Sequence, residues 1–411
     1  MRNNLRINGE RLCWRLDRLA QIGRIAGDGV CRLALSDEDK GGRDLVVAWM
    51  RELGLSVHID RIGNVVGVRA GLADGPPVMT GSHIDSVRTG GRYDGTLGVL
   101  AGLEVIASLN ELEFPTRRPI AVAFFTNEEG SRFQPDMFGS LVYTGGLALD
   151  EALAVRGIDG ATVGEELDRI GYAGPEPAGQ PRPQPHAYVE LHVEQGPILD
   201  AENFRIGAVE GVQGISWIEF TLSGQSNHAG TTPMRMRRDA GYVGARIAVF
   251  ARTLAKEIGG DQVATVGSMT LSPNLVNVVA DHAVMTVDLR NTDDERLREA
   301  ERRLFAFADE AAATENVAIA RRSLARFAPV AFAPNLVERV EEIAGELGFP
   351  VRRLPSGAGH DAQIMAAVCP ACMIFVPSVG GISHNVEEYT APSDLVAGAD
   401  VLLRLVLELA Q

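Results

Sequence analysis

Short apolar runs separated by helix-patterned stretches dominate both ends of the chain. Val78–Gly81, Ile120–Thr126 and Cys372–Val376 are too short for helices and lack strict alternation, so they read as strands buried on both faces, with Val65–Arg69 a further strand. Helical patterns run from about Arg43 to Leu53, from Leu97 to Leu109, after Ala331 and from Leu395 to Leu409. Buried strands alternating with helices predict an α/β fold whose sheet is covered by helices on both faces. Ligands of such sheets gather beyond the carboxyl ends of the strands.

The texture changes twice. Ala173–His186 carries too many prolines for a helix or a central strand and reads as a connecting loop. After Val212 come a strand-like Ile215–Leu222, a helix near Asp239–Ile258, strands near Ala264–Leu271 and Ala283–Leu289, and a helix near Asp293–Thr314. Two such strand-helix-strand units predict an inserted α/β sandwich, one sheet against two helices. The expected domains are residues 1–212 with 331–411, and an insert at 213–330.

Length and composition agree with two cores: 411 residues exceed what one core serves, and 45% of them are apolar. A formal net charge of -15 disfavours nucleic acid and anionic membrane surfaces as partners. Only Lys40 and Lys256 are lysines, both in polar contexts, which argues against imine chemistry on pyridoxal phosphate. Met1–Glu10 has no apolar stretch of signal length and the C-terminal helix is interrupted by Arg404 and Glu408, so a cytoplasmic location is expected. The one CxxC, Cys369-Pro370-Ala371-Cys372, leads into a buried strand and reads as packing rather than as a redox pair or half a zinc site.

Polar clusters flank the apolar runs. His83, Asp94, Glu129, His192 and His384 offer imidazole nitrogen and carboxylate oxygen, the donors that borderline divalent cations favour. Glu128 is left over beside Glu129, free to take a proton from a water within its reach. Asp85, two residues after His83, is placed to hydrogen-bond the far imidazole nitrogen and fix its tautomer. Asp94 alternatively caps the helix that follows it.

These clusters resemble the metal-dependent amidase, hydantoinase/carbamoylase family, related to the dinuclear zinc peptidases. The resemblance runs through Gly81–Asp94, Thr126–Phe133, Glu190–Leu199, Ser226–Met234, Pro273–Val279, Asp288–Thr292, Pro355–Gln363 and Met373–His384. It implies two divalent metal ions per subunit, Asp94 bridging, His83 and His192 completing one site, and Glu129 and His384 the other. Zinc, manganese, cobalt and nickel all accept this donor set. It further implies that Glu128 is the general base and His228 an oxyanion donor. Gln195, Asn277, Arg290, Gly359 and His360 would contact substrate, Arg290 by forking onto a carboxylate unless it pairs instead with Asp288 or Asp293. The inserted sandwich is expected to be a lid that also forms a homodimer. The expected reaction is hydrolysis of N-carbamoyl-L-amino acids to amino acid, carbon dioxide and ammonia. Allantoate or 3-ureidopropionate is the alternative substrate, and a non-catalytic ligand-binding relative the alternative class.

Overall fold

The computed structural model describes residues 5–411; residues 1–4, the head of the segment read for a targeting signal, lie outside them. The chain forms two compact units, one from the residues up to Glu210 with Phe332–Gln411, the other Gly211–Ala331. Strands β1 (Ser56–Ile59), β2 (Val65–Arg69), β3 (Val78–His83), β4 (Ile120–Phe125), β5 (Ala187–Val193) and β6 (Ile206–Val212) come first. β7 (Gly214–Ser223), β8 (Val263–Ser272), β9 (His282–Asn291) and β10 (Ala318–Phe327) follow, then β11 (Val330–Ala331), β12 (Val351–Ser356) and β13 (Ala371–Val376).

The large sheet has the order β1-β2-β4-β3-β5-β13-β6-β11, with β12 also beside β6. Its middle, β4-β3-β5-β13, is parallel. Every residue of these strands is buried, so both faces are covered, as the unbroken apolar runs require. Helix Thr96–Glu111 is buried from Thr96 to Leu109, and helix Pro392–Leu409 from Leu395 to Leu407 apart from Val396, so both are covered nearly all round. No helix among the described residues is long and apolar enough to cross a membrane. The α/β class and the covered sheet are as the sequence predicts.

Several elements escaped the sequence reading, four of them for clear physical reasons. Helix Gly9–Ala20 and β1 carry polar faces, and β5 contains Glu190 and His192, which interrupt its apolar pattern although both are buried. β10 contains Arg321, Arg322 and Arg326, whose charges pair with Asp309, Glu219 and Glu301 on an exposed strand. The helix expected from Arg43 begins at Asp37, because the Ser36 side chain caps it by accepting the Asp39 N–H.

In the second unit β10-β7-β9-β8 form an antiparallel sheet. Its core joins Phe220, Met285 and Leu289 of the strands to Ile247 and Leu254 of helix Ala240–Ile258 and Leu304 of helix Asp294–Thr314. Cys369 and Cys372 are buried free thiols, and burial pushes the Cys369 thiol up to about 12.

Parallel strands end on one edge, and that edge receives His83 at the end of β3, Thr126–Glu129 after β4 and His192 near the end of β5. Gly81 lets β3 and β4 approach: its φ is +152°, and a Cβ there would lie 1.9 Å from the Ala123 carbonyl oxygen. Gly81→Ala is expected to cost on the order of 3 kcal/mol of stability in urea unfolding. A loss below about 1 kcal/mol would contradict this account of the strand pair.

Candidate metal centre and active site

Asp94 sits where the chain turns from Gly90–Gly95 into helix Thr96–Glu111. Its Oδ1 lies 3.2 Å from His192 Nε2 and 3.6 Å from His83 Nε2. Its Oδ2 lies 3.3 Å from His384 Nε2, which is also 3.3 Å from Glu129 Oε2. One carboxylate therefore faces two groups, His83 with His192 and Glu129 with His384, and each set has ligand atoms close enough to hold a metal ion.

Backbone groups fix which ring nitrogens face inward. His83 Nδ1 is 3.0 Å from the Asp85 carbonyl oxygen and His192 Nδ1 is 2.9 Å from the Val193 carbonyl oxygen, so each Nδ1 is the donor. Nε2 then faces Asp94, and the Gly95 N–H donates to His192 Nε2 at 3.1 Å, which marks that atom as an acceptor. Lone pairs of nitrogen and carboxylate oxygen thus converge on both sides of Asp94, the donor set a divalent cation fits. The buried Glu129 Oε1, which has no hydrogen-bond partner, fits the same reading.

The Asp85 expectation is corrected here. Its carboxylate is 3.9 Å from His83 Nδ1 and leaves that nitrogen to the backbone carbonyl. Instead it accepts the backbone N–H groups of Glu128 (3.2 Å) and Glu129 (3.3 Å). Two oxygens on two successive amides fix the direction of the glutamate pair, which a turn closed by Met137 N–H on the Glu128 carbonyl (2.7 Å) also holds. Glu128 Oε2 then lies 3.4 Å from His83 Nε2.

Crowded negative charge and burial shift these groups. Burial, with Asp361, Glu129 and Asp94 nearby, raises the Glu128 carboxyl well above the usual range against the pull of His83. Burial and Asp94 push Glu129 to about 8. Burial opposes, but the histidine contacts hold Asp94 well below the usual range. Burial alone would lower His83 and His192, yet Glu128 and Asp94 for the first and Asp94 for the second raise them. The contact with Asp94 raises His384 to about 9. A divalent cation neutralises this same excess of negative charge.

Gln195 donates to Asp94 Oδ2 at 3.0 Å, and with Gly359 and His360 it lines a cavity of about 110 Å³ with the metal-site residues. His360 is buried with Nε2 2.8 Å from Ser356 Oγ, and burial with the neighbouring His192 keeps it neutral. A third candidate cluster, Glu190 with His192 and His360, fits a cation less well, because the Glu190 oxygens already accept from Ser82 Oγ (2.6 Å) and Ala362 N–H (2.8 Å).

His228, Asn277 and Arg290 belong to the second unit. Gly230 N–H donates to His228 Nδ1 at 3.0 Å, so the exposed Nε2 carries the proton and is a donor. Ala229 N–H donates to the Asn277 carbonyl at 2.9 Å, tying the two loops together, while the Asn277 side chain is exposed. Arg290 pairs with Asp288, Nη2 to Oδ2 at 2.9 Å, the ion pair weighed as its alternative role.

Sequence reasoning missed Glu190 and Glu388. Glu190 was legible only as the first residue of the stretch Glu190–Leu199, and Glu388, buried, gave no motif signal.

The profile of Peptidase family M20/M25/M40 matches residues 79–408. The chain belongs to this family. It is 44% identical to an N-carbamoyl-L-amino-acid amidohydrolase of Rhizobium meliloti, over 99% of this chain and 98% of that protein. It is 33% identical to an allantoate amidohydrolase of Bacillus subtilis, over 95% of each. Among solved structures it resembles an amidase of the hydantoinase/carbamoylase family from Burkholderia multivorans, with TM-score 0.96, 47% identity and coverage of 99% and 98%. The protein is a hydrolytic amidase that cleaves amide C–N bonds, and its family binds divalent metals.

Gly95 makes the first group possible: φ is +64°, and a Cβ would lie 2.3 Å from His83 Nε2. Gly95→Ala should lower amidase activity at least about a hundredfold by displacing that ring, with the circular dichroism of the folded protein retained. Activity within about threefold of wild type would contradict the geometry.

Proposed function

We propose that the protein hydrolyses N-carbamoyl-L-amino acids to the amino acid, carbon dioxide and ammonia. The observation that carries this reading is the two-faced Asp94 carboxylate, with Glu128 buried beside one face and outside both candidate metal sets. His83, Asp94 and His192 would hold one cation and Asp94, Glu129 and His384 a second, zinc being the expected metal with manganese, cobalt or nickel as substitutes. Divalent cations held there lower the pKa of water and stabilise negative charge developing on the carbamoyl oxygen.

The chain's own residues do the rest. Glu128 takes the proton of the attacking water and returns it to the leaving nitrogen, a role supported by its burial beside His83 outside both candidate metal sets. His228 donates its Nε2–H to the oxyanion, a role supported by the tautomer that Gly230 fixes. Gln195 contacts the ureido group, Asn277 contacts the substrate, and Gly359 and His360 line the site. Arg290 receives the substrate carboxylate in its planar fork, exchanging or sharing it with Asp288. The second unit acts as lid and joins two copies into a homodimer in the cytoplasm. The relative at 33% identity named for allantoate keeps that compound as a second reading, with 3-ureidopropionate beside it.

A panel of N-carbamoyl amino acids, allantoate and 3-ureidopropionate, assayed for ammonia after chelation and after adding back each metal, tests the reading. Chelation should abolish turnover and a divalent transition metal restore it, with N-carbamoyl amino acids used best. Full turnover by protein shown to be metal-free, or preference for allantoate, would overturn the respective part. Glu128→Gln should lose at least about a hundredfold in kcat with metal content unchanged, whereas Glu129→Gln should lose metal. Exchanged phenotypes would reverse the assignment within the pair.

A further inference from the structure

Glu388 is a buried carboxylate that makes no ion pair among the described residues. Its Oε1 accepts the backbone N–H groups of Tyr93 (3.0 Å) and Asp94 (3.2 Å), and its Oε2 is 3.3 Å from Ser383 Oγ. One side chain therefore joins the turn that presents Asp94 to the loop that presents His384. That loop needs an anchor: His384 has φ +52°, in the left-handed region, and its side chain is half exposed. Opposite the carboxylate stands Gly91, where a Cβ would meet Glu388 Oε1 at 2.3 Å and its Cβ at 2.4 Å. Gly91 is thus the vacancy that admits the clamp. The glycine beside Tyr93-Asp94 and the glutamate four residues after His384 are complementary parts of one contact.

We propose that Glu388 is a positioning residue that sets where His384 stands relative to Asp94, and so controls binding of the second cation. The inference rests on the two-cation reading above. Asp94 serves both candidate groups, while His384 belongs to one, so loosening its loop weakens the Asp94–Glu129–His384 group more than the His83–Asp94–His192 group. The operative feature is the acceptor oxygen. Glutamine keeps one acceptor for the two amides, and the Ser383 hydroxyl can turn to accept from its NH₂ group; alanine keeps neither.

Titration of chelated protein with zinc by calorimetry, with bound metal counted after desalting, separates the outcomes. Wild type should take up two equivalents; fewer would refute the two-cation reading and this inference with it. Glu388→Ala and Gly91→Ala, which break the clamp from opposite sides, should each keep the first equivalent and weaken the second at least about tenfold. Glu388→Gln should stay within about threefold of wild type. Two wild-type equivalents in folded Glu388→Ala and Gly91→Ala would overturn the inference and leave the two-cation reading standing. Should both variants fail to fold, Ser383→Ala, which removes only the Oε2 contact, should weaken the second equivalent by about threefold, and unchanged affinity there would overturn it.

Discussion

Unscreened negative charge is the constraint on which this protein is organised. Asp94, Glu128, Glu129 and Glu190 are brought together at the ends of parallel strands with little water, and no lysine or arginine makes an ion pair with any of them among the described residues. Burying such charges is costly unless something positive compensates them. Three imidazoles do part of this, and their inward-facing nitrogens mark where divalent cations belong. The fold tolerates the arrangement because most of it is built where the strands end, and Glu190, inside β5, is satisfied by the Ser82 hydroxyl and the Ala362 N–H.

Precision at the centre comes from backbone and from carboxylates one step removed. The carbonyls of Asp85 and Val193 choose the tautomers of His83 and His192. Asp85 aims the glutamate pair, Glu190 ties Ser82 to the start of the helix Asp361–Met365, and Glu388 holds the amides of Tyr93 and Asp94. These outer acceptors bind backbone N–H groups rather than metal. They fix ligand directions, as supporting partners of metal sites do. Glycines at 81 and 95 supply the close approaches that a side chain would block.

Much of this was legible in the sequence, and the gaps have physical causes. Unbroken apolar runs announced the parallel strands, because strands buried on both faces leave no polar positions. β5 stayed hidden, since its Glu190 and His192 are buried by function rather than excluded by polarity. β10 stayed hidden behind arginines that an exposed edge strand tolerates when acidic neighbours pair with them. The residues now seen to converge on Asp94 were the ones singled out as candidate ligands, since imidazole and carboxylate at strand ends carry their chemistry in their identity. Asp85 was picked out with the wrong partner, because spacing along the chain does not say whether a carboxylate or its own carbonyl reaches a ring. Glu388 left no trace, as an acceptor for backbone amides needs no recognisable neighbour in sequence.

The most direct measurement is anomalous diffraction from crystals grown with zinc, recorded on both sides of its absorption edge. The account predicts two peaks in each subunit, one between Asp94 and the pair His83–His192, the other between Asp94 and the pair Glu129–His384. A single peak, or peaks that leave the two oxygens of Asp94 without contact, would contradict it.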